Sequence, residues 1–425
     1  MAIILTERAK TLSLAKTYQE RYQLQSVELA AKSELISLSK AIDTAAAKGE
    51  VGVIFKLSAA ITKLSAENRL IAQEIIEADI RAAGYSVELL KDTKDNLIGY
   101  DIGWVESTSD EEDEGGDGSS DEEPAISIAT ATALDDAINS NEEVVTLQLT
   151  DDITIPSTIS IEEGKAVTIN MNGSTLSNNS SNHMFTVDGG SLIINGDENS
   201  NIETPGRIVV VNDGAAEVNG GTYATTSEGQ VFSAAGANAT LTLNNVEATG
   251  QEFSVGAFDG GHVIINGGEY ESIDNAVIAT NGTAGRGGNT IELKGVKLTG
   301  NITSDGYEAC GIYVANNDTV IIDGDCEITS SGCGILMRGG NVIIRSGAKI
   351  TTTGDPTATG WVGDNKTKMS NAAIIYHETA NYPGKAGMSL IVEPGVIFNV
   401  TGKKIEILSN EETPNVTAPA EFIDE

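Results

Sequence analysis

Asp323 and Asp325 stand two residues apart in IIDGDCEI, and on an extended strand that spacing puts both carboxylates on one face. Paired carboxylates are the machinery of glycoside hydrolysis, one giving a proton and the other taking one or attacking. An Asp-Gly-Asp run is also ordinary turn chemistry, and that reading outweighs the first. Asp259 and His262 flank a glycine pair, with His262 expected on the surface beside the turn. His377 and Glu378 are chain neighbours, which a strand would send to opposite faces. Asp197 and Glu198 in NGDENSN suit a solvated turn or a weak cation site. No catalytic residue is assigned from these, and a carboxylate site assembled from distant parts of the chain is the lesser expectation.

Metal and redox chemistry find equally little. Cys310, Cys326 and Cys333 are odd in number and form no CxxC pair, so neither a zinc site nor a disulfide framework is indicated. They are expected to be small buried apolar residues. The acidic stretch at 106–124 lacks the order and closing glutamate of a calcium loop. No cofactor and no metal are expected.

Binding chemistry is better represented. Four polar stretches, 281–289, 301–310, 351–371 and 377–387, carry Arg286, Tyr307, Trp361, Lys366, Lys368, Tyr382 and Lys385. An exposed aromatic with polar neighbours suits stacking on a sugar or anchoring a protein interface, and a surface loop with the ring packed beneath it has equal weight. The net charge of −36 argues against nucleic acid and anionic membranes as partners. That charge is uneven: residues 1–105 carry 13 basic and 14 acidic groups, 106–124 none and 10, and 125–425 carry 13 and 38.

These residues need elements to hold them, and the chain divides into three parts: 1–105, 106–124 and 125–425. Residues 6–48 have a helical period through Leu24, Val27, Ala31, Leu35, Leu38, Ile42 and Ala45. AKGEVGVIF breaks it, and a second helix is expected from about Lys56 to Ala83. In that helix Leu57, Ile61, Leu64, Asn68, Ile71, Ile75 and Ala78 alternate spacings of four and three, a heptad seam with one asparagine. Such a row can set register in a homo-oligomer, trimer or dimer; the alternative is a fold-back on the first helix with Asn68 at a wet edge. YSVELLKDTKDNLIGYDIGWV then reads as two strands around a polar turn. ESTSDEEDEGGDGSSDEEP, residues 106–124, has no aliphatic or aromatic side chain to offset the entropy of ordering and is expected to be an extended linker.

The last part repeats. TINMNGSTLS, LIINGDENSNI, AEVNGGTYAT, LTLNNVEATG, VIINGGEYES and their successors are alternating apolar strands that stop at a polar residue and a glycine turn. The markers Asn172, Asn195, Asn219, Asn244, Asn266, Lys294, Asp323, Arg345 and Glu393 lie 22 to 29 residues apart, with a last interval of 48 that is two coils or one with a long insertion. A second strand precedes most units at constant phase. No unit holds a helix, and a propeller blade needs about 40 residues. The expected fold is mostly β: a parallel β-helix of about nine coils, inward aliphatics stacked and asparagines laddered, after a small α-helical N-terminal domain. A short helix at 132–140, started by Thr132 and Asp135 as a capping box, is placed to cover its first coil, and residues 403–425 its last.

From TALDDAIN onward the chain resembles the right-handed parallel β-helix proteins of the pectate-lyase-like superfamily, which include phage appendages and bacterial surface proteins. The polygalacturonase series of Asn-Thr-Asp, Asp-Asp and Gly-His-Gly, and the lyase cluster of Asp with Arg, are both missing from it. The resemblance implies a display role. Residues 1–105 would attach to a major capsid or tail protein of a phage particle, the linker would give reach, and the β-helix would project, with a host-surface glycan as its candidate ligand. The chain is then expected to fold in the host cytoplasm and reside in the virion, without an export signal, as a head fibre or decoration. A tailspike or polysaccharide lyase and a bacterial adhesin are the alternatives. Phage spikes of this layout are commonly trimeric.

Overall fold

The computed structural model describes residues 52–57, the helical positions Ile61, Asn68, Arg69, Ala72, Gln73, Ile76 and Ile80, residues 86–91 and 97–103, and residues 125–423 apart from 180, 228, 274, 281–285, 301–309, 355–359, 363–366, 370, 377–388 and 409–414. Contacts divide the chain into two units, Met1–Ser119 and Ser120–Glu425, the division falling inside the acidic stretch. The helix expected at 6–48 and the extended form expected for 106–124 lie outside the described residues.

In the first unit the two strands expected around the polar turn are Ser86–Lys91 and Leu97–Gly103, and they pair antiparallel. A third strand, Gly52–Lys56, pairs with the other side of Leu97–Gly103 and completes a sheet. From sequence this segment reads only as a helix break. Its β-branched and aromatic run VIF fits a pleated surface, and Gly99 opposite it is required: a Cβ there would stand 2.3 Å from the Phe55 carbonyl oxygen. The described positions from 61 to 80 are helical, and Ile61, Ala72, Ile76 and Ile80, at spacings of 11, 4 and 4 that fall on one helical face, are buried, as are Val87, Tyr100 and Ile102. Of the heptad seam, Ile61 is buried and Leu57 and Asn68 are half-buried, while the side chains of Leu64, Ile71, Ile75 and Ala78 lie outside the described residues. The described residues of this unit are the three-stranded sheet and these helical positions; the remainder of the expected helical domain lies outside the described residues.

The second unit is a parallel β-solenoid of about ten turns. Each turn supplies a strand to three faces. The first face runs from Ile159–Glu162 to Ile405–Ile407, the second from Ile126–Ile128 to Asn415–Thr417, and the third from Ile153–Ile155 to Ile397–Asn399. Strands of the three faces pair with their equivalents one coil away, as Leu241 with Val263 and then Ile291 on the second face. Parallel pairing in register puts like side chains above like. Leu192, Ala216, Leu241, Val263, Ile291, Val320, Val342 and Leu390 therefore form one fully interior column, all at most 3 % exposed. On the third face Tyr223 and Tyr270 are separated by Ala248, so large rings alternate with a small residue, and Tyr223 packs edge-on against Phe232 at 5.1 Å. At the corner between third and first faces the interior holds hydroxyls instead. Thr204, Thr225 and Ser330 accept hydrogen bonds from the turn amides of Gly206, Gln251 and Gly332, which satisfies backbone that would otherwise be buried without a partner.

The interval of 48 is one coil with an insertion, because Ile344 pairs with Val392 and Met337 with Tyr376. The expected helix is Ala131–Ile138, burying Leu134 and Ile138 over the first coil. Its cap is Thr130, whose Oγ1 accepts from the Ala133 amide at 3.2 Å, and not Thr132, which is already inside the helix. At the other end the tail first adds strands Ile405–Ile407 and Asn415–Thr417 to the first and second faces. Phe422 then packs on Phe398 with ring centroids 4.9 Å apart.

The tight corners between second and third faces need glycine. Gly268 has φ +92°, and a Cβ on it would stand 2.2 Å from the Val246 carbonyl oxygen of the coil below; Gly164, at a corner between first and second faces, has φ +83° with open space around it. Replacing Gly164 by alanine should cost about 1 kcal/mol, the left-handed backbone alone. Gly268→Ala adds the clash and should cost about 3 kcal/mol. Thermal unfolding of the two variants checks this; equal shifts would contradict the assigned stacking.

Candidate functional site

The polar markers form a single column at the end of the second face. Asn195 Nδ2 donates to Asn170 Oδ1 at 2.8 Å, Asn219 to Asn195 at 2.9 Å, Asn244 to Asn219 at 2.8 Å and Asn266 to Asn244 at 2.9 Å. Asn195, Asn219 and Asn244 thus each donate to the coil below and accept from the coil above. The first rung is Asn170, not Asn172: register pairs Asn170 with Asn195, and Asn172 has φ +52° in the turn beyond. Above Asn266 the column changes to Lys294, Asp323, Arg345 and Glu393, cation alternating with anion. Arg345 lies 3.5 Å from Asp323 and 3.4 Å from Glu393. Burial raises the Asp323 pKa while Arg345 and Lys294 pull it down.

The described sequence candidates for chemistry each take a place in this framework. Asp323 belongs to the ion column and Asp325 accepts from the Gly295 amide at 2.8 Å in the coil below, so the two serve different partners. His262 sits 3.2 Å from Glu292 on the outer second face, and Asp259 accepts from the Arg286 guanidinium. Asp197 accepts from the Asn199 amide and the Ser200 hydroxyl, the turn chemistry its sequence suggests. His377 and Glu378 lie outside the described residues. Among the described residues no three His, Cys, Asp or Glu side chains gather to hold a metal, and no helix is long and apolar enough to cross a membrane. A shallow depression on the third face is lined by Thr222, Glu247, Glu269, Glu271 and Thr299, with Glu269 bound to Lys297 at 2.8 Å.

The insertions have a common address. Residues 281–289 join the first-face strand Ile278–Thr280 to the second face, and 301–309 join the third face to the first-face strand Cys310–Val314. Residues 353–373 lead into the first-face strand Ile374–Tyr376, and 377–388 leave it. All four border the first face, and the corners between second and third faces stay short. Within 353–373 the strands Gly360–Val362 and Thr367–Met369 pair as an antiparallel hairpin, which carries the backbone of Trp361 and Lys368. Of the other binding candidates, Arg286 is exposed and tied to Asp259, while Tyr307, Lys366, Tyr382 and Lys385 lie outside the described residues.

The first face beside these insertions is apolar on its outer side. Ala279, Tyr313, Leu336 and Ile375 form an outward cluster, each at most 3 % exposed. Arg338 follows Leu336 and Met337 on the same strand edge and is 2 % exposed, the bulkiest fully buried side chain among the described residues. Sequence reasoning passed over it; the signal was one cation inside GILMRGGN, where the rest of the segment is apolar or glycine apart from the closing asparagine. Next to it a polar relay crosses three coils at the corner between first and second faces. Asn289 Oδ1 accepts from the amides of Gly260 and Gly261, and Asn289 donates both its backbone and side-chain N–H to Asp318 Oδ1 at 3.0 Å. No protein-family model, no curated protein and no solved structure matches this chain.

Asp318 gives this corner a pH dependence. It is wholly buried, and burial raises its pKa above the ordinary 3.8, against hydrogen bonds from Thr280 and Asn289 that favour the charged form. A raised folded-state pKa means that the folded chain binds the proton more tightly than the unfolded chain. The group's contribution is then fully present below 3.8 and is lost as pH rises through the folded value. Asp318→Asn keeps the acceptor for Asn289 and does not titrate. Its thermal midpoint relative to the parent should climb as pH goes from about 4 to 8; a difference that falls over that range would contradict the assignment.

Proposed function

We propose that this chain is a structural protein of a bacteriophage particle, a head fibre or capsid decoration, in which the first unit attaches and the solenoid displays a contact surface along its first face. The observation that carries the display role is that the four enlargements of the solenoid all border one face, whereas the corners between the other two remain tight. Loops gathered along one side of a repeat rod are the usual form of a binding face. The stacked coils give that face a rigid base, so that the loops present their side chains at fixed spacing.

The acidic stretch at 106–124 supports the same reading. Its ten carboxylates and absence of basic residues make it self-repelling, and a tether of that kind holds a displayed unit away from its support. The resemblance of the repeat to phage β-helix appendages supplies the setting. On this reading the attachment partner is a major capsid or tail protein, the assembly is a homo-oligomer, and the ligand of the insertion face is a host-surface glycan. Arg286, Tyr307, Trp361, Lys366 and Tyr382 are the residues proposed to meet it.

Immunogold electron microscopy with antibody against residues 125–425, on phage particles produced by cells expressing this chain, tests the proposal. Gold on heads is the expected outcome. Gold on tails would overturn the head assignment in favour of a tail fibre or tailspike, and gold on cell envelopes but on no particle would overturn the virion reading altogether.

A further inference from the structure

Cys310 and Cys333 are register partners in adjacent coils of the first face. Both are fully buried, and both belong to the outward cluster with Tyr313 and Leu336, so their side chains leave the sheet on the same side. Register extends the column to Ala276 below and Ala372 above, which puts two thiols one above the other between two methyl groups, with no bulky side chain to wedge them apart. Each cysteine is followed by a glycine, and these glycines are forced by packing: a Cβ on Gly311 or Gly334 would stand 2.4 Å from Ile328 or Ile350 Cγ2. The third cysteine, Cys326, is elsewhere, in the interior cluster, and burial raises its thiol to about 11.

We propose that Cys310 and Cys333 form a reversible disulfide that staples two coils when the chain meets a low-molecular-weight disulfide oxidant. In the reaction both S–H bonds break and one S–S bond forms between the coils. The two electrons and two protons pass to the oxidant, whose own S–S bond breaks to give two thiols. Neighbouring strands in register stand about 4.8 Å apart, inside the Cα range of disulfides. Their Cβ atoms must close by about 1 Å to reach the usual separation of about 3.8 Å. The bond is therefore strained and easily reduced, which marks it as responsive to redox conditions and not as a permanent strut. The proposal does not depend on the virion reading, since it rests on register alone.

The full chain, treated with hydroxyethyl disulfide at temperatures approaching its thermal midpoint so that local opening admits the reagent, is then alkylated, digested and examined by mass spectrometry. A cross-linked peptide pair containing Cys310 and Cys333 is expected, with Cys326 alkylated only after denaturation. The staple should raise the thermal midpoint by about 5 °C, reversed by reductant, and Cys333→Ser should abolish both the link and the shift. Recovery of both thiols reduced or capped separately by the reagent, or a link from either one to Cys326, would overturn the proposal.

Discussion

The hydrogen-bonded register between one coil and the next is the constraint from which the rest of this molecule follows. A single turn of three short strands has an apolar interior side and two unpaired backbone edges, and it can satisfy neither by itself. Stacking in parallel register satisfies both at once. It also forces every position of the coil into a column, so that each side chain meets its own equivalent and sequence choices are made column by column.

The columns divide the work. Interior positions hold Val, Ile and Leu with occasional Ala, and the corner toward the first face holds hydroxyls that bind the turn amides. The column at the end of the second face shows two solutions to one problem, a half-buried polar stack. From Asn170 to Asn266 identical amides bond to each other, because an amide is both donor and acceptor. From Lys294 to Glu393 the residues change at every coil, because like charges stacked at that spacing would repel and alternating charges attract. The change of solution coincides with the coils that carry insertions, and those coils hold the buried Arg338 and the Asn289–Asp318 relay.

The period, the three-strand unit and the stacked asparagines were legible from sequence because each repeat breaks at Asn or Gly, residues that accept left-handed backbone. The insertions were visible as enlargements of the repeat, but they fall at two corners, before and after the first-face strand, so their gathering beside one face shows only once register is known. What escaped the sequence depended on corner length or on a neighbour one coil away. Asn172 is in the repeat's alignment by pattern, yet the first turn is longer and register selects Asn170. Thr130 and Thr132 are alike in type, and only backbone geometry shows which one caps the helix. Gly52–Lys56 is too short to declare itself without the strand it pairs with, Leu97–Gly103. The two Cys-Gly-Ile segments lie 23 residues apart, one coil, which the search for closely spaced metal ligands could not see.

Distances between spin labels on the outer third face test the stacking most directly. With one label at Thr175→Cys and the second at Glu269→Cys, Lys297→Cys or Lys349→Cys, the separations span four, five and seven coil steps in the register of that face. At about 4.8 Å per step, pulsed electron spin resonance should return about 19, 24 and 34 Å. Separations that do not lengthen with the number of coils, as in a sandwich where chain-distant strands lie side by side, would contradict the account.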